Sequence, residues 1–343
     1  MSRRYRVALR LFPCVLVLLF LAPACSGPSR DRVSLSGLTM GTTWSVDVAG
    51  ARADRRKLNE DIAAVLDDVN RKMSTYLPDS ELSRLNRAPG GTWFPLSDEL
   101  YRVIREALRV GAETGGAFDI TIGPAVNLWG FGPDKHTAIP AAADIEAALA
   151  ETGPGKIELR SSPPALRKHD ARVYLDLSGI AKGYAVDRIA SLLERAGFRD
   201  FLVDIGGEVR ARGKSARGDV WRIGIEKPIT GARAVERIID LDNIAMATSG
   251  DYRNYFVNNG VRYSHTIDPR NGRPVSHNLV SVTVLHPAAM TADALATGLL
   301  VLGPERGLDL ARQLGLAVFF ISRSDHGFTE RYTEPFTWFL PEK

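Results

Sequence analysis

The chain has 343 residues, of which 45% are hydrophobic and 24% charged, and its formal net charge is +4. This composition is typical of a globular protein with a sizeable core, in one large domain or two ordinary ones, and it excludes a disordered chain. The positive excess lies within residues 1–24, which contain four arginines and no acid, so the remaining residues give no composition-level argument for binding nucleic acid or an anionic membrane surface.

The N-terminal segment has the pattern of a secretory signal peptide. Arginines at positions 3, 4, 6 and 10 precede an apolar run from Leu11 to Leu21, and small residues follow. The run is too short to span a bilayer, which needs about 20 residues, so residues 1–24 are predicted to be a cleaved signal. The only cysteines are Cys14 and Cys25, which excludes a disulfide framework in the rest of the chain.

Residues 21–25, Leu-Ala-Pro-Ala-Cys, are similar to a bacterial lipobox. This similarity implies cleavage before Cys25, lipidation of Cys25 and a stable anchor through two or more acyl chains. The leucine lies four residues before the cysteine, where lipoboxes usually have it three before, so an ordinary cleaved signal is the alternative. The Pro, Ser and Gly content predicts a tether over residues 25–36.

The first half of the remaining chain is predicted to form a strand and three helices. The strand runs from Thr42 to Val48, and apolar residues at helical spacing follow it from Leu58 to Met73. A second helix begins with a capping serine and two acids at residues 97–99 and ends at Gly115-Gly116. The third, predicted to lie on the surface, spans residues 140–151.

The second half is dominated by predicted strands. A strand at 172–177 leads through a Ser-Gly turn into a helix over 181–196, and Asn259-Gly260 between apolar alternations is a strong hairpin signal. Closely spaced strands with short turns indicate a mainly antiparallel sheet, and the absence of a clean linker indicates one α+β domain over residues 37–343. The further predicted strands are 201–205, 209–212, 220–226, 235–241, 244–248, 253–257, 261–267, 278–285 and 316–322.

One predicted helix, residues 291–303, has a pair of oxygen-bearing side chains in apolar surroundings. Asp293 and Thr297 are one helical turn apart on the same face, and the segment contains no Lys, Arg or Glu. A carboxylate in such company needs a partner, and two such oxygens suit a hard cation such as magnesium. The alternative is that Asp293 favours the positive end of the helix while Thr297 bonds back to a carbonyl.

Several predicted turns contain further reactive or ligand-binding groups. His265 ends a strand before a Pro/Gly turn and is a candidate base, a phosphate contact or a structural histidine, while Asp268-Pro269 can simply initiate that turn. Residues 176–184 form a strand-to-helix turn suited to an anion, although Asp176 can equally be a local cap. Residues 115–121 combine flexible backbone, an aromatic ring and an acid, and suit a flat ligand.

Seven motifs follow one another along the chain: Met40-Gly41-Thr42-Thr43, Ser74-Thr75-Tyr76, Gly116-Ala117-Phe118-Asp119, residues 176–183, residues 204–207, residues 264–274 and residues 291–297. Their order resembles the ApbE family of FAD:protein FMN transferases. The resemblance covers about residues 33–340 and implies a T-fold-like α+β architecture, a periplasmic lipoprotein anchored to the inner membrane, FAD as flavin donor and magnesium dependence. The implied reaction joins FMN to a Thr or Ser hydroxyl of a target protein and releases AMP.

Carried onto this sequence, the resemblance implies two sets of site residues. The metal ligands are the Gly179 carbonyl, the Asp293 carboxylate and the Thr297 hydroxyl. Some family members have glutamate at the position of Lys182, so that contact departs from part of the family. The implied flavin-nucleotide contacts are Met40, Tyr76, Ala117, Phe118, Asp119, Asp176, Lys182 and Ile267.

The acceptor hydroxyl needs a base, for which His265 is the first candidate and Asp293 the second. The expected partners are FAD and the acceptor flavoprotein subunits of periplasm-facing redox complexes. Two other functions stay open at this point. With water as acceptor, the same site is an FAD pyrophosphatase that releases FMN and AMP, and without catalysis the chain is a flavin-binding lipoprotein.

Overall fold

The computed structural model describes residues 30–50, 52–229, 234–252 and 254–341. The predicted signal peptide and Cys25 lie outside these residues. The helices are α1 Arg55–Met73, α2 Glu81–Arg87, α3 Asp98–Glu113, α4 Gly123–Leu128, α5 Ala142–Ala150, α6 Ala181–Arg195, α7 Ala289–Leu302 and α8 Pro304–Gln313. The strands are β1 Arg32–Thr39, β2 Thr42–Ala49, β3 Trp93–Pro95, β4 Ile157–Ser161, β5 Pro164–Lys168, β6 Phe201–Ile205, β7 Glu208–Arg212, β8 Trp221–Glu226, β9 Val235–Leu241, β10 Ala245–Gly250, β11 Tyr255–Asn258, β12 Val261–Ser264, β13 Ile267–Asp268, β14 Arg273–Pro274, β15 Leu279–His286, β16 Ala317–Ser324 and β17 Gly327–Tyr332.

An eight-stranded antiparallel sheet, in the order β1-β2-β6-β7-β10-β15-β16-β17, organises the fold. Helices α1, α3, α6 and α7 cover one face and share the larger hydrophobic core with it. The β8–β9 hairpin and a 3-10 helix over Glu334–Phe339 pack on the opposite face. Alternate strand residues therefore point to two cores, as in Met246 on one face of β10 and Ala247 on the other. The predicted α+β class with a mainly antiparallel sheet is confirmed.

Most predicted elements are present, and the predicted hairpin turn at Asn259-Gly260 is confirmed. Asn259 and Gly260 join β11 to β12 with φ of 50° and 77°, the left-handed geometry that such turns require. Met40 and Gly41 join β1 to β2 in the same way, with φ of 48° and 73°. Because β1 begins at Arg32, residues 32–36 of the predicted tether belong to the sheet.

The predicted strand over residues 172–177 is wrong. The segment is extended and buries alternate side chains, but its backbone groups bond to other partners than a neighbouring strand. Leu175 exchanges two hydrogen bonds with the Asn86 side chain, at 2.8 and 2.9 Å, and the Asp176 N–H donates to the Ile120 carbonyl. The Lys168 ammonium, 1% exposed, donates to the Val173 carbonyl and to two others. Burial alone therefore produced the alternating pattern.

The predicted strand over residues 261–267 is interrupted. Strand β12 ends at Ser264 and β13 begins at Ile267, so His265 and Thr266 lie in the break between them. The predicted strand over 253–257 appears as β11, shifted towards the C-terminus, and Arg253 lies outside the described residues.

No helix in the described part of the chain has both the length and the apolar character needed to cross a bilayer.

Helices α6 and α7 cap each other's N-termini. Neither has a side-chain cap of its own at Ile180 or Ala288. Asp187 of α6 accepts from the N–H groups of Ala289 and Met290 at 3.0 and 2.9 Å, and Asp293 of α7 accepts from the Gly183 N–H at 3.0 Å. The helices approach so closely that a Cβ on Gly183 would lie 2.3 Å from the Ala289 carbonyl oxygen. This contact fixes Asp293 against the start of α6.

Candidate functional site

A single cleft of about 1130 Å³ brings the predicted site residues together. It is formed by the β1–β2 turn, the β6–β7 turn, the end of β10, one side of α7 and the loops before α4 and α6. Its volume exceeds the usual range for drug-sized ligands, about 300–1,000 Å³, and suits a dinucleotide. All twelve predicted residues line it: Met40, Tyr76, Ala117, Phe118, Asp119, Asp176, Gly179, Lys182, His265, Ile267, Asp293 and Thr297.

Asp293 is a buried carboxylate with one oxygen still available for a ligand. The residue is 2% exposed, and its Oδ2 accepts the Gly183 N–H. Its Oδ1 lies 3.8 Å from Lys182 Nζ, beyond hydrogen-bonding distance. Burial raises the pKa of Asp293 above its ordinary value, and the charge of Lys182 opposes that shift. The alternative from the sequence was that Asp293 favours the positive end of its own helix. In the structure the Asp293 carboxylate instead lies at the positive, N-terminal end of the neighbouring helix α6.

Thr297 lies one turn after Asp293 and faces the cleft. Its Oγ1 is 3.0 Å from Ser249 Oγ on β10. No bond back to a helix carbonyl is formed by this hydroxyl among the described contacts. A Cβ on Gly179 would lie 3.1 Å from Thr297 Oγ1, so the Gly179 backbone packs directly against this hydroxyl. The available Asp293 oxygen, the Thr297 hydroxyl and the adjacent Gly179 backbone therefore fit the oxygen donor set that magnesium prefers.

The second buried carboxylate at this position, Glu208, was not predicted. It begins β7, is 1% exposed and lies with its Oε2 2.7 Å from Lys182 Nζ. Burial lowers the pKa of Lys182, but the charges of Asp293 and Glu208 outweigh that effect and hold the pKa above its ordinary value. Burial raises the pKa of Glu208. Lys182, expected to contact the nucleotide, thus lies between two carboxylates of the cleft.

The His265 ring is held so that one nitrogen can act as a base. Its Nδ1 is 2.9 Å from the Asn254 carbonyl oxygen, and its backbone N–H donates to the same oxygen. A carbonyl can only accept, so in the neutral ring Nδ1 bears the proton and Nε2 keeps its lone pair. Burial lowers the pKa of His265 below its ordinary value, which favours this neutral form. The His265 and Phe131 rings also pack against each other in a T-shaped arrangement.

The predicted flavin contacts lie on the walls and rim of the same cleft. Tyr76 is 55% exposed, and its hydroxyl donates to the Phe131 carbonyl at 3.3 Å, so its ring is held at the rim. Asp119 accepts from Thr121 and caps a 3-10 helix, and burial raises the pKa of its carboxyl group. Asp176 accepts from the Ser178 N–H at 2.7 Å, as the local-cap alternative expects.

The cleft is strongly acidic. Its lining contains two lysines, Lys135 and Lys182, and no arginine. This wall would repel a pyrophosphate dianion unless a cation accompanied it, because like charges repel each other strongly in a region of low dielectric constant. Among the described residues no cluster of three or more His, Cys, Asp or Glu side chains is arranged to hold a metal ion. The acids that line the cleft are Asp67, Asp119, Asp176, Asp204, Glu208, Glu226 and Asp293.

Three contributors to the site escaped the sequence analysis. Glu208 follows a glycine turn that attracted attention, Asp204 to Gly207, but the glutamate itself gave no signal. Asn254 acts through its backbone carbonyl, which no side-chain pattern reveals. Asp187 lies about 100 residues from the helix that it caps. The position of Asp187 on a predicted helix was known, but the helix that it caps is revealed only by the tertiary structure.

Comparisons with known proteins agree on one family. The family model for ApbE matches residues 40–320. An FAD:protein FMN transferase from Haemophilus influenzae is 46% identical over 330 residues, which cover 94% of this chain and 95% of that protein.

Solved structures show the same likeness. The flavin transferase ApbE from Vibrio cholerae has a TM-score of 0.84 and 43% identity, covering 91% of this chain and 100% of that chain. The apo form of the Pseudomonas stutzeri flavinyl transferase ApbE has a TM-score of 0.83 and 38% identity, covering 92% and 98%. The architecture expected from the motifs is thereby confirmed, and the chain belongs to the ApbE family.

Proposed function

We propose that this chain transfers FMN from FAD to a Thr or Ser hydroxyl of an acceptor protein, with magnesium, and releases AMP. The names of the relatives support flavin transfer to a protein. One observation supports the finer proposal above all. The same cleft contains a histidine with a lone pair on Nε2, and a buried Asp293 carboxylate beside the half-buried Thr297 hydroxyl, a pair that suits a hard cation.

The proposed reaction is a phosphoryl-type transfer. The acceptor oxygen bonds to the FMN-side phosphorus, the bond from that phosphorus to the bridging oxygen breaks, and AMP leaves with the bridging oxygen. The hydroxyl proton passes to His265 Nε2, while the Asn254 carbonyl holds Nδ1–H and thus the orientation of the ring. A neutral hydroxyl is a weak nucleophile, so removal of this proton is the step for which the cleft supplies a base.

The remaining residues bind and orient the substrate. Gly179, Asp293 and Thr297 would hold magnesium, which when bound supplies positive charge to the pyrophosphate oxygens. The Tyr76 ring at the rim offers a flat surface to the isoalloxazine ring. Lys182 keeps the charges of Glu208 and Asp293 from repelling each other across the floor of the cleft.

Incubation with FAD, magnesium and a Thr-containing acceptor tests this proposal. The acceptor should gain one FMN moiety that survives denaturation, with one AMP released for each, and chelation of magnesium should stop both. The variant His265→Gln should still bind FAD but transfer FMN at least about tenfold more slowly, since general-base catalysis contributes that much or more. Equal release of FMN and AMP without acceptor would instead identify an FAD pyrophosphatase, and FAD binding without turnover a non-catalytic flavin-binding protein.

We also propose that the chain acts in the periplasm as an inner-membrane lipoprotein and modifies flavoprotein subunits of periplasm-facing redox complexes. The signal pattern and Cys25 support this location. Mass spectrometry of the membrane-extracted protein should find a diacyl-type modification on Cys25, and Cys25→Ser should release the protein from membranes. An unmodified Cys25 thiol would instead indicate an exported protein without an anchor.

A further inference from the structure

One strand edge of the main sheet opens into the cleft. Strand β10 pairs with β15 along its whole length, from Ala245 to Gly250. On its other side it pairs with β7 only at Ala245 and Met246, because β7 begins at Glu208. In the described part of the chain no strand continues this pairing, and residues 248–250 line the cleft at that point.

The backbone direction of the open segment follows from its hydrogen bonds. The Ile244 carbonyl accepts from Ala211 on the β7 side, whereas the Asp251 N–H donates to Val280 on the β15 side. Successive residues of a strand present their backbone groups to opposite sides. The N–H and C=O groups of Thr248 and Gly250 therefore point towards the cleft, where a further strand can pair with them.

A side chain on this edge, that of Ser249, contacts one of the proposed metal ligands. Ser249 points to the helix face of the sheet, where its Oγ lies 3.0 Å from Thr297 Oγ1. A residue placed opposite Ser249 on an added strand would have its Cβ about 5 Å away on the same face. Its hydroxyl would then be directed at the Asp293–Thr297 side of the cleft.

A second strand bounds the same space. Four successive residues of β8, Ile223 to Glu226, line the cleft, and Glu226 Oε2 lies 3.5 Å from the hydroxyl of Tyr252. The Tyr252 ring packs over Gly250, where a Cβ would lie 2.6 Å from it. The ends of β8 and β10 are thus close together, and both border the same space.

We propose that the acceptor protein enters this cleft as an extended segment that pairs with the Thr248–Gly250 edge of β10. Addition of a strand to an exposed sheet edge is a common mode of peptide recognition, with affinity from backbone hydrogen bonds and tolerance of many side chains. The occupant is a segment with a Ser or Thr opposite Ser249. This inference rests on the proposed transfer to a protein hydroxyl.

Backbone N-methylation of a peptide substrate tests the pairing. The probe is a synthetic peptide of about seven residues, the length of a short strand, rich in Asp, Gly, Ala and Ser with a single Thr. Single N-methyl groups are placed at each residue in turn, and flavinylation by the wild-type enzyme is measured with FAD and magnesium. Pairing predicts that kcat/KM falls at least about tenfold at two positions, those that face Thr248 and Gly250 and lie two residues apart, and changes little at the positions between and beside them.

The intervening positions serve as the matched control, because they carry the same chemical change. A flat dependence on position in a peptide that is flavinylated would overturn the strand pairing and leave the transfer intact. Failure of the unmethylated peptide and of folded acceptors to gain FMN would remove the proposed function and this inference together.

Discussion

The N-termini of helices α6 and α7 are both capped by an aspartate of the other helix, but the two carboxylates differ in how many of their oxygens are hydrogen-bonded. Asp187 has both oxygens engaged, with two backbone N–H groups and the Arg210 guanidinium at 2.8 Å. Asp293 has one oxygen on a single N–H and the other 3.8 Å from an ammonium. Asp187 is about one-fifth exposed, whereas Asp293 is buried.

This difference separates a structural carboxylate from a candidate ligand. A capping acid stabilises a helix through hydrogen bonds and the helix dipole, and both oxygens of Asp187 are hydrogen-bonded in doing so. Asp293 makes the same kind of bond and keeps an oxygen directed at a cleft. One aspartate is thus a helix cap and the other also a candidate metal ligand, because their surroundings form different numbers of hydrogen bonds with the carboxylate oxygens.

Replacement of Asp293 by asparagine should have the largest effect of the changes that test this contrast. The amide keeps an acceptor oxygen for Gly183 but removes the anionic charge, so transfer should fall at least about 100-fold, since loss of metal-derived charge stabilisation amounts to several kcal/mol. Magnesium affinity, measured by calorimetry, should fall with it. Full magnesium-dependent turnover by Asp293→Asn would refute the assignment.

Acid should also slow transfer, through protonation of His265. Because burial lowers the pKa of His265, its Nε2 remains unprotonated down to below pH 6.5, and kcat/KM should then fall about tenfold per pH unit as the ring gains a proton. Asp187→Asn should follow the same acid limb as the wild type. A limb at or above pH 6.5, or its persistence in His265→Gln, would exclude His265 as the base.

The change Thr297→Val keeps the shape of the side chain but removes its hydroxyl. We expect magnesium to bind about tenfold more weakly, with little change in FAD affinity, since one neutral oxygen ligand is lost while Asp293 remains. The control is Ser249→Ala, which removes the hydrogen-bond partner of Thr297 from the other side. If both variants weaken magnesium equally, the hydroxyl acts by its bond to Ser249.

Asp187→Asn should have the smallest effect on activity and act on stability. Loss of the charge at the start of α7 and of the Arg210 pair should lower the free energy of unfolding by about 1 kcal/mol, as for other helix caps. Transfer at a temperature where the variant is folded should stay within about twofold of the wild type. Chemical denaturation measures the free energy of unfolding. A large loss of transfer in the folded variant would contradict the purely structural role of Asp187.

The sequence predicted one member of this pair and missed the other for a physical reason. Asp293 was singled out because Thr297 follows it by one helical turn, and that spacing is local. The role of Asp187 depends on a helix more than 100 residues away, which no local pattern reports. The hairpin at Asn259-Gly260 was predicted from two residues whose left-handed backbone the turn requires.

Errors in the strand assignments have a related origin. The segment from Val173 to Leu177 alternates apolar and polar residues like a strand, yet the Asn86 side chain and Lys168 satisfy part of its backbone. Burial and strand pairing produce the same alternation, so only the three-dimensional partners distinguish them. Strand β1 starts within a Ser- and Gly-containing stretch because its pairing partner, β2, follows at once through Met40-Gly41.

The reciprocal caps also connect the candidate site to the folding of the whole chain. The bonds that join α6 to α7 span 102 to 110 residues of sequence, so the entropy of closing these loops must be lost before either helix end is satisfied. Until then Asp293 is an ordinary solvated carboxylate. Magnesium is therefore expected to bind the native state alone, and by mass action its concentration should raise the melting temperature of the folded enzyme.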